Sequence, residues 1–474
     1  MVNFIVLDLT FLVLFIIFAT IFLSIKRKNL GSDGSLILYR TQWGVKLINY
    51  VGKRYKKTLK ALSYISITMG YILMVSVLIL IAQTVYIYLT TPIAKVIRAP
   101  PIMPLIPYFP QLFGLESFFP PFYFIYFIFA LIIVASVHEF SHGIFAKRYN
   151  IKIKSTGFAF FKYFPALFGA FVEQDEKQMR KKKRFEQMAV LSAGVFANIL
   201  VTILFFVIIA LYFSLSFSAG GIMFDTYSYS IVNISDITKV NGLPINGEYQ
   251  NILNKLYEND SLNNISTDRK DYLAKKSFFE SQDYSGGKVV LYDNSPARKY
   301  GIGGVITEIN GVKIRSLNDL ANELKKYSPN EEVEIKTIKE GGEETEKIIL
   351  DENPDDKTKV WLGIGFMDRE KKGVFGKIYS FFSFFKEEYV YYSPKHNWSV
   401  FVYDLFWWII LINLAVALFN MLPLGFLDGG RFFYLTILSL TKSKKITEKA
   451  FAGATYLLLF LLLTLMIKWI LVFF

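Results

Sequence analysis

The chain has no cysteine and, among 474 residues, only three histidines. The first absence excludes disulfides and every thiolate metal site, so a tightly held metal would need imidazole and carboxylate ligands. Charge is scarce as well: 19% of residues are Asp, Glu, Lys or Arg against 53% apolar, too apolar a balance for an ordinary soluble protein. Several apolar runs exceed the ~18 residues that mark a candidate bilayer crossing. The pattern predicts a polytopic α-helical membrane protein with about six spans. A net charge of +14 does not point to nucleic acid here, because the basic residues cluster beside apolar runs, as the cytoplasmic flanks of membrane spans do. The expected partner is the lipid bilayer, with no nucleic acid.

Two of the three histidines stand in one pentapeptide, His138-Glu139-Phe140-Ser141-His142, at the end of an apolar run from about Phe118 to Phe145. This is the HExxH pattern of zinc-dependent peptidases. On a helix, residues four apart share a face, so the two imidazoles can hold one ion while Glu139 sits beside it as general base. Ionisable groups at membrane depth cost ~2.5–3.5 kcal/mol each on insertion scales and mark function by default. The bland alternative, chance combined with a satisfied core histidine, fits poorly with two of three histidines falling in one motif.

In chain order, residues 1–60 comprise an apolar run, about Ile5 to Ile25, and a basic segment. The bases follow the run and do not precede it, so it is expected to be a signal anchor with its N-terminus outside. Between Lys26 and Lys60 ten Lys/Arg face one acid, Asp33, which assigns the segment to the cytoplasm. Residues 61–117 hold a second span, about Leu62 to Tyr88, and an external proline-rich loop from about Thr90 to Pro120. Residues 118–217 contain the HExxH span, running inward, a basic connection and a fourth span from about Met188 to Phe217. Inside that connection Gly157 to Val172 is aromatic and apolar but broken by Pro165 and glycines, too short to span and a poor helix. A re-entrant or interfacial β-like loop is expected. Its part Phe168, Gly169, Ala170, Phe171 is the candidate strand edge for an unwound substrate, against the alternative of a plain interfacial anchor.

The fourth span opens with Ser192, Ala193 and Gly194, small residues suited to packing closely on the metal helix, and carries Asn198. Residues 218–399 then turn polar, with 28 acids against 24 bases and all four N-x-[ST] sequons, so an extracytoplasmic α+β domain is expected. Ile306 to Ile314 reads as strand, Asn-Gly turn, strand; a helix, Ser316 to Lys326, and strands from Glu332 to Leu350 follow. With Asn294-Ser295-Pro296-Ala297 before and Gly363-Ile364-Gly365-Phe366 after, the stretch resembles a PDZ domain. Ile237 to Ile245 (ITKVNGLPI) repeats Ile306 to Ile314 (ITEINGVKI), which leaves two readings: tandem PDZ-like units, or one unit with an insertion at 246–286. Residues 400–440 return inward through a fifth span, about Phe401 to Leu422, and end in Asn420-Met421-Leu422-Pro423 and Asp428-Gly429-Gly430. Counting spans puts Asp428 at the depth of His142, so it is the leading third ligand. Residues 441–474 supply a short cytoplasmic stretch and a sixth span, about Phe451 to Phe474.

HEFSHG at His138, SAGVFAN ending at Asn198 and NMLPLGFLDGG from Asn420 together resemble, in order, the three signatures of the site-2 protease family of intramembrane zinc metalloproteases. The resemblance covers about Phe118 to Leu440 and implies zinc on His138, His142 and Asp428, with Glu139 as base. It also implies supporting roles for Asn198 and Asn420 near the scissile carbonyl, and cleavage of a transmembrane helix of another membrane protein. Val195 stands where many members have proline. Two other classes fit parts of the pattern. A transporter would distribute polar groups through several helices or show inverted repeats, and a non-catalytic PDZ-bearing scaffold would have no use for Glu139.

Overall fold

The computed structural model describes residues 4–91, 100–115, 119–259, 261–282, 286–354, 356–367 and 383–471. Its principal helices are α1 (Phe4–Ile25), α2 (Trp43–Arg54), α3 (Lys56–Thr90), α4 (Phe124–Arg148), α5 (Arg184–Ser216), α6 (Ser399–Asn420), α7 (Asp428–Thr441) and α8 (Lys444–Ile470). All except α2 and α7 are long and apolar enough to cross a membrane, six in total among the described residues. This is an integral membrane protein. The chain divides into two compact units, residues 1–212 with 400–474, and residues 213–399.

In the first unit, side-chain bonds fix the directions of the spans. Asp8, near the start of α1 and almost fully buried, accepts from the backbone N–H of Phe124 (2.8 Å) and Ile125 (2.9 Å) and from the Tyr108 hydroxyl. A carboxylate on the free N–H groups of a helix start satisfies donors that have no partner within the helix and faces the positive end of its dipole. The first span therefore caps α4, and the two run in the same direction. Trp408 in the first half of α6 donates to Pro121 O just before α4 (3.1 Å), so α6 runs that way too. Arg148 at the end of α4 donates to Lys56 O at the start of α3 (2.6 Å), so α3 runs back.

The aromatic stretch after α4 is a β-hairpin, β3 (Ile153–Phe161) and β4 (Phe168–Gln174), with Pro165 in the turn. The basic segment after α1 contains more than a flank. Asp33-Gly34-Ser35 turns the chain between β1 (Leu30–Asp33) and β2 (Leu36–Thr41), and β2 pairs with β3. The sheet runs β1-β2-β3-β4, leaving β4 at one edge. The amphipathic α2 follows and packs Ile48 against Gly143 of α4. The stretch after Asp428 likewise differs from a plain cytoplasmic connection: it is α7, with Phe432 and Leu435 in the same core as Leu73, Met188 and Met421. In the expected external loop, residues 92–99 and 116–118 lie outside the described ones.

The second unit has two hydrophobic cores. One is built around Ile237, Val240, Ile252, Ile265, Phe279 and Leu291, the other around Ile222, Ile306, Ile309, Leu320, Ile335 and Ile348. The chain starts the latter with β5 (Phe217–Met223) and β6 (Thr226–Tyr227). It then leaves to build the former from β7 (Tyr229–Asn233), β8 (Ile237–Val240), β9 (Leu243–Pro244), β10 (Asn263–Thr267), β11 (Asp271–Ala274) and β12 (Lys288–Asp293). It returns to complete the second with β13 (Val305–Ile309), β14 (Val312–Lys313), the helix Leu317–Leu324, β15 (Glu332–Lys339) and β16 (Gly342–Ile349). The excursion closes on itself, since Asp293 N donates to Ser228 O (2.9 Å). One β-module, residues 229–293, is nested in another. The two ITxxNGxxI segments adopt one geometry. Asn241-Gly242 and Asn310-Gly311 all have positive φ, as a two-residue hairpin turn of this kind requires. Both asparagines bond identically to the neighbouring strand, Asn241 to the backbone of Asn264 and Asn310 to that of Glu334.

Candidate metal centre

His138 and His142 lie one turn apart in the second half of α4, and both are buried. Their Nε2 atoms are 3.0 Å apart, and Asp428 Oδ2 lies 3.2 Å from the first and 3.1 Å from the second. Three lone-pair atoms of three side chains meet at one point, all within 4.8 Å. Asp428 reaches it because α7 begins there, and α7 begins there because Gly429 and Gly430 have no side chains. A Cβ on Gly429 would lie 2.3 Å from the Met421 carbonyl carbon and one on Gly430 2.0 Å from Leu424 O. The LDGG sequence is what lets the start of the helix fold back on the segment after α6.

Helix α5 orients both rings. His142 Nδ1 lies 2.7 Å from Val190 O. That carbonyl is an acceptor only, so Nδ1 carries the proton and Nε2 presents its lone pair to the cluster. Behind His138, Asn198 Nδ2 lies 3.2 Å from Nδ1, and the buried Asn198 Oδ1 has no partner. Turned by 180° about its last bond, this amide offers the oxygen to a protonated Nδ1, which would free Nε2 of His138 as well. Asn198 therefore stands behind a ligand-type histidine, whereas Asn420 lines the cavity in front of it. Gly194 lies on the same face of α5, where a Cβ would fall 2.5 Å from His142 Nε2 and 2.7 Å from His138 Nε2. Helix α7 is fastened at its other side by Arg431, which donates to Glu176 (2.9 Å) and Gln187 (3.2 Å).

Glu139 projects into the same cavity, about 250 Å³ in volume, shared with Asn420, Leu191, Val172 and Gln174. Its Oε2 accepts from Val172 N of β4 (3.1 Å). Phe161 N donates to Leu167 O, so by the antiparallel alternation Gly169 and Phe171 bond to β3, while the amides of Phe168, Ala170 and Val172 face the open edge. The carboxylate of the HExxH motif and a free strand edge are thereby joined. Gly363, Ile364, Gly365 and Phe366 belong to the other unit, where β17 (Ile364–Gly365) pairs with β6 and Gly363 adopts φ 78°. No side-chain pattern signals the Val190 carbonyl, which acts through its backbone; Gly194 and Gln174 stand at positions whose meaning depends on the fold.

The donor set fits zinc. Two imidazole nitrogens and one carboxylate oxygen make a three-ligand set with a position left over, and ~2.0–2.1 Å bonds to tetrahedral corners would separate the ligands by ~3.3 Å. The observed spacings of 3.0–3.2 Å come close to that. Apolar spans enclosing such a cluster beside the Glu139 carboxylate point to a class, the membrane-embedded metallopeptidases. The chain belongs to peptidase family M50, the site-2 protease family, whose model matches residues 126–465. It is also similar to an uncharacterized protein of Methanocaldococcus jannaschii, at 25% identity over 304 residues, 64% of this chain and 54% of that relative. The match thus spans about half the relative's length.

Proposed function

We propose that the protein is an intramembrane zinc metalloprotease that hydrolyses peptide bonds within or near a transmembrane helix of other membrane proteins. His138, His142 and Asp428 are the residues that would hold the ion. Bound zinc supplies Lewis acidity, polarising a water so that it is readily deprotonated. Glu139 receives that proton. One of its oxygens is held by Val172 N–H, which leaves Oε1 without a partner among the described residues and free to act as base. Asn420, in the same cavity, is placed to donate to a carbonyl oxygen of the bound peptide.

The observation that carries this reading is the bond between Glu139 and the edge of β4. Carbonyls of an intact transmembrane helix are bonded within the helix, and unwinding one frees groups that are costly to leave unpaired in hydrocarbon. The outward amides of Phe168 and Ala170 can pair with such an unwound segment and deliver it to Glu139 by strand addition. The nested modules are read as PDZ-like, with Gly363–Phe366 as the loop that captures a substrate tail and filters substrates. Both termini and these modules are assigned outside, and the metal cluster towards the cytoplasmic side, on the distribution of bases and sequons.

Co-expression with candidate single-span proteins tests the reading. Wild type should release fragments; Glu139→Gln should release none while keeping its zinc, and Asp428→Ala should lose the metal. Fragments from Glu139→Gln equal to those from wild type would end the proposal. Ala170→Pro removes one outward N–H and leaves the bonds to β3, so it should abolish cleavage with zinc content unchanged.

A further inference from the structure

Gln174 ends β4, two residues beyond Val172, so the two side chains share a face of the strand, and both line the cavity of Glu139. Gln174 is half-buried; its Oε1 is shielded and has no hydrogen-bond partner, and no bond of its amide to any described residue is present. A shielded amide oxygen with nothing to bond is rare in a folded chain and calls for a ligand or a water; a half-turn about the last side-chain bond exchanges the amide O and N and brings the oxygen to the cavity side. The neighbouring bonds suggest which. A peptide pairing with the open edge of β4 can use the amides of Phe168 and Ala170, but the next outward N–H, that of Val172, is taken by Glu139. The backbone ladder therefore breaks at the catalytic carboxylate, where the substrate must be unwound and where its own amides most need partners.

We propose that Gln174 is a substrate-positioning residue whose Oε1 accepts a backbone N–H of the unwound segment beside the scissile bond, continuing in side-chain form the ladder that Glu139 interrupts. A neutral amide suits the task, since it matches the polarity of a peptide group and adds no charge beside Glu139 and Asp428. The inference rests on the proteolytic reading above.

The test uses the full chain in detergent and a set of synthetic transmembrane peptides, each with one backbone amide near the cleavage site replaced by an ester, which removes a single N–H. Cleavage is measured for wild type and Gln174→Met, a substitution of similar size whose thioether is only a weak acceptor; peptide affinity is measured separately in the uncleaving Glu139→Gln background with and without Gln174→Met. Gln174→Met should lower kcat/KM on the all-amide peptide roughly tenfold, as expected for one lost buried hydrogen bond. Zinc content and thermal midpoint should stay at wild-type values. One ester position should cost wild type a similar factor and cost Gln174→Met nothing further. A merely structural role predicts no such coupling. Equal losses from that ester in both proteins, or no sensitive position at all, overturns the proposal. If wild type cuts none of the peptides, the proteolytic reading fails, while the affinity measurements still decide the pairing. Peptides that bind equally with and without Gln174 overturn it there too.

Discussion

Gly194→Ala is the sharpest test of how α5 serves the metal cluster. The added Cβ would lie 2.5 Å from His142 Nε2, so the gap must open by about 0.9 Å to reach ordinary contact at 3.4 Å. The ring has little room to retreat. Its Nδ1 is bonded to Val190 O, one turn earlier on the same helix, so α5 both anchors the imidazole and presses on it. Nor can α5 easily withdraw, because Ala189, Val190, Ala193 and Val195 are fully buried and Ser192 is bonded to Ser66 of α3 (2.5 Å). Metal ligands tolerate misplacement of only about 0.2 Å, and relieving an overpacked methyl costs about 1–3 kcal/mol. Taken from metal binding, that is roughly a 5- to 150-fold loss of affinity. Alanine meanwhile favours a helix interior over glycine by about 1 kcal/mol, so the fold should not weaken in step. The assay is zinc retention against a graded chelator, alongside the thermal midpoint of the metal-free protein. A variant that holds zinc as wild type does would show that the rings are not set by this contact.

Asp8→Ala should cost about 1–3 kcal/mol, since it uncaps α4 and strands the Tyr108 hydroxyl; an unchanged thermal midpoint in detergent would refute the cap. Excising residues 229–293 and joining Ser228 to Asn294 through a short linker should leave the enclosing module folded, because the ends of the insertion already meet; loss of amide protection in β13 and β15 would contradict that. Burial raises the pKa of Asp293, but bonds from Lys270, Ser228 and Ser230 outweigh it and hold the carboxyl below its usual range. A depressed folded-state pKa gives stability that is present above the unfolded value, about 3.9, and is lost as pH falls through the folded one. Hydrogen exchange in β12 should therefore accelerate below about pH 4, and Asp293→Asn should remove that dependence.

The spans and the first two metal-type residues were legible because they depend on short-range pattern: apolar length for the helices, a spacing of four for His138 and His142. Asp428 needed a topological count across 290 residues, and the bonds made by Asp8, Arg148 and Trp408 give the span directions that the count assumed. What escaped the sequence is what forms between distant segments. Asp33-Gly34 is a turn pair set in a basic segment that reads as a membrane flank; only pairing with β3 reveals β1 and β2 as strands. Val190 contributes a carbonyl, which no side-chain pattern encodes, and Gln174 looks like any polar residue at the end of a strand.

The family match begins at Tyr126, so α1, β1 and β2 lie outside it, yet they bear on the centre directly. Asp8 caps the helix that carries His138, and Phe15 stacks on Phe168 at the start of β4 (5.7 Å between centroids). The β2 strand takes up the edge of β3 that would otherwise compete for an extended peptide, since an unpaired edge accepts any strand presented to it. With that edge covered, the open edge next to the cluster is the one bonded to Glu139, and a strand added there would run alongside that carboxylate. The segment that precedes the family match thus bears on the centre without reaching it: it covers one edge of β3 and leaves β4, the edge bonded to Glu139, open beside the cluster.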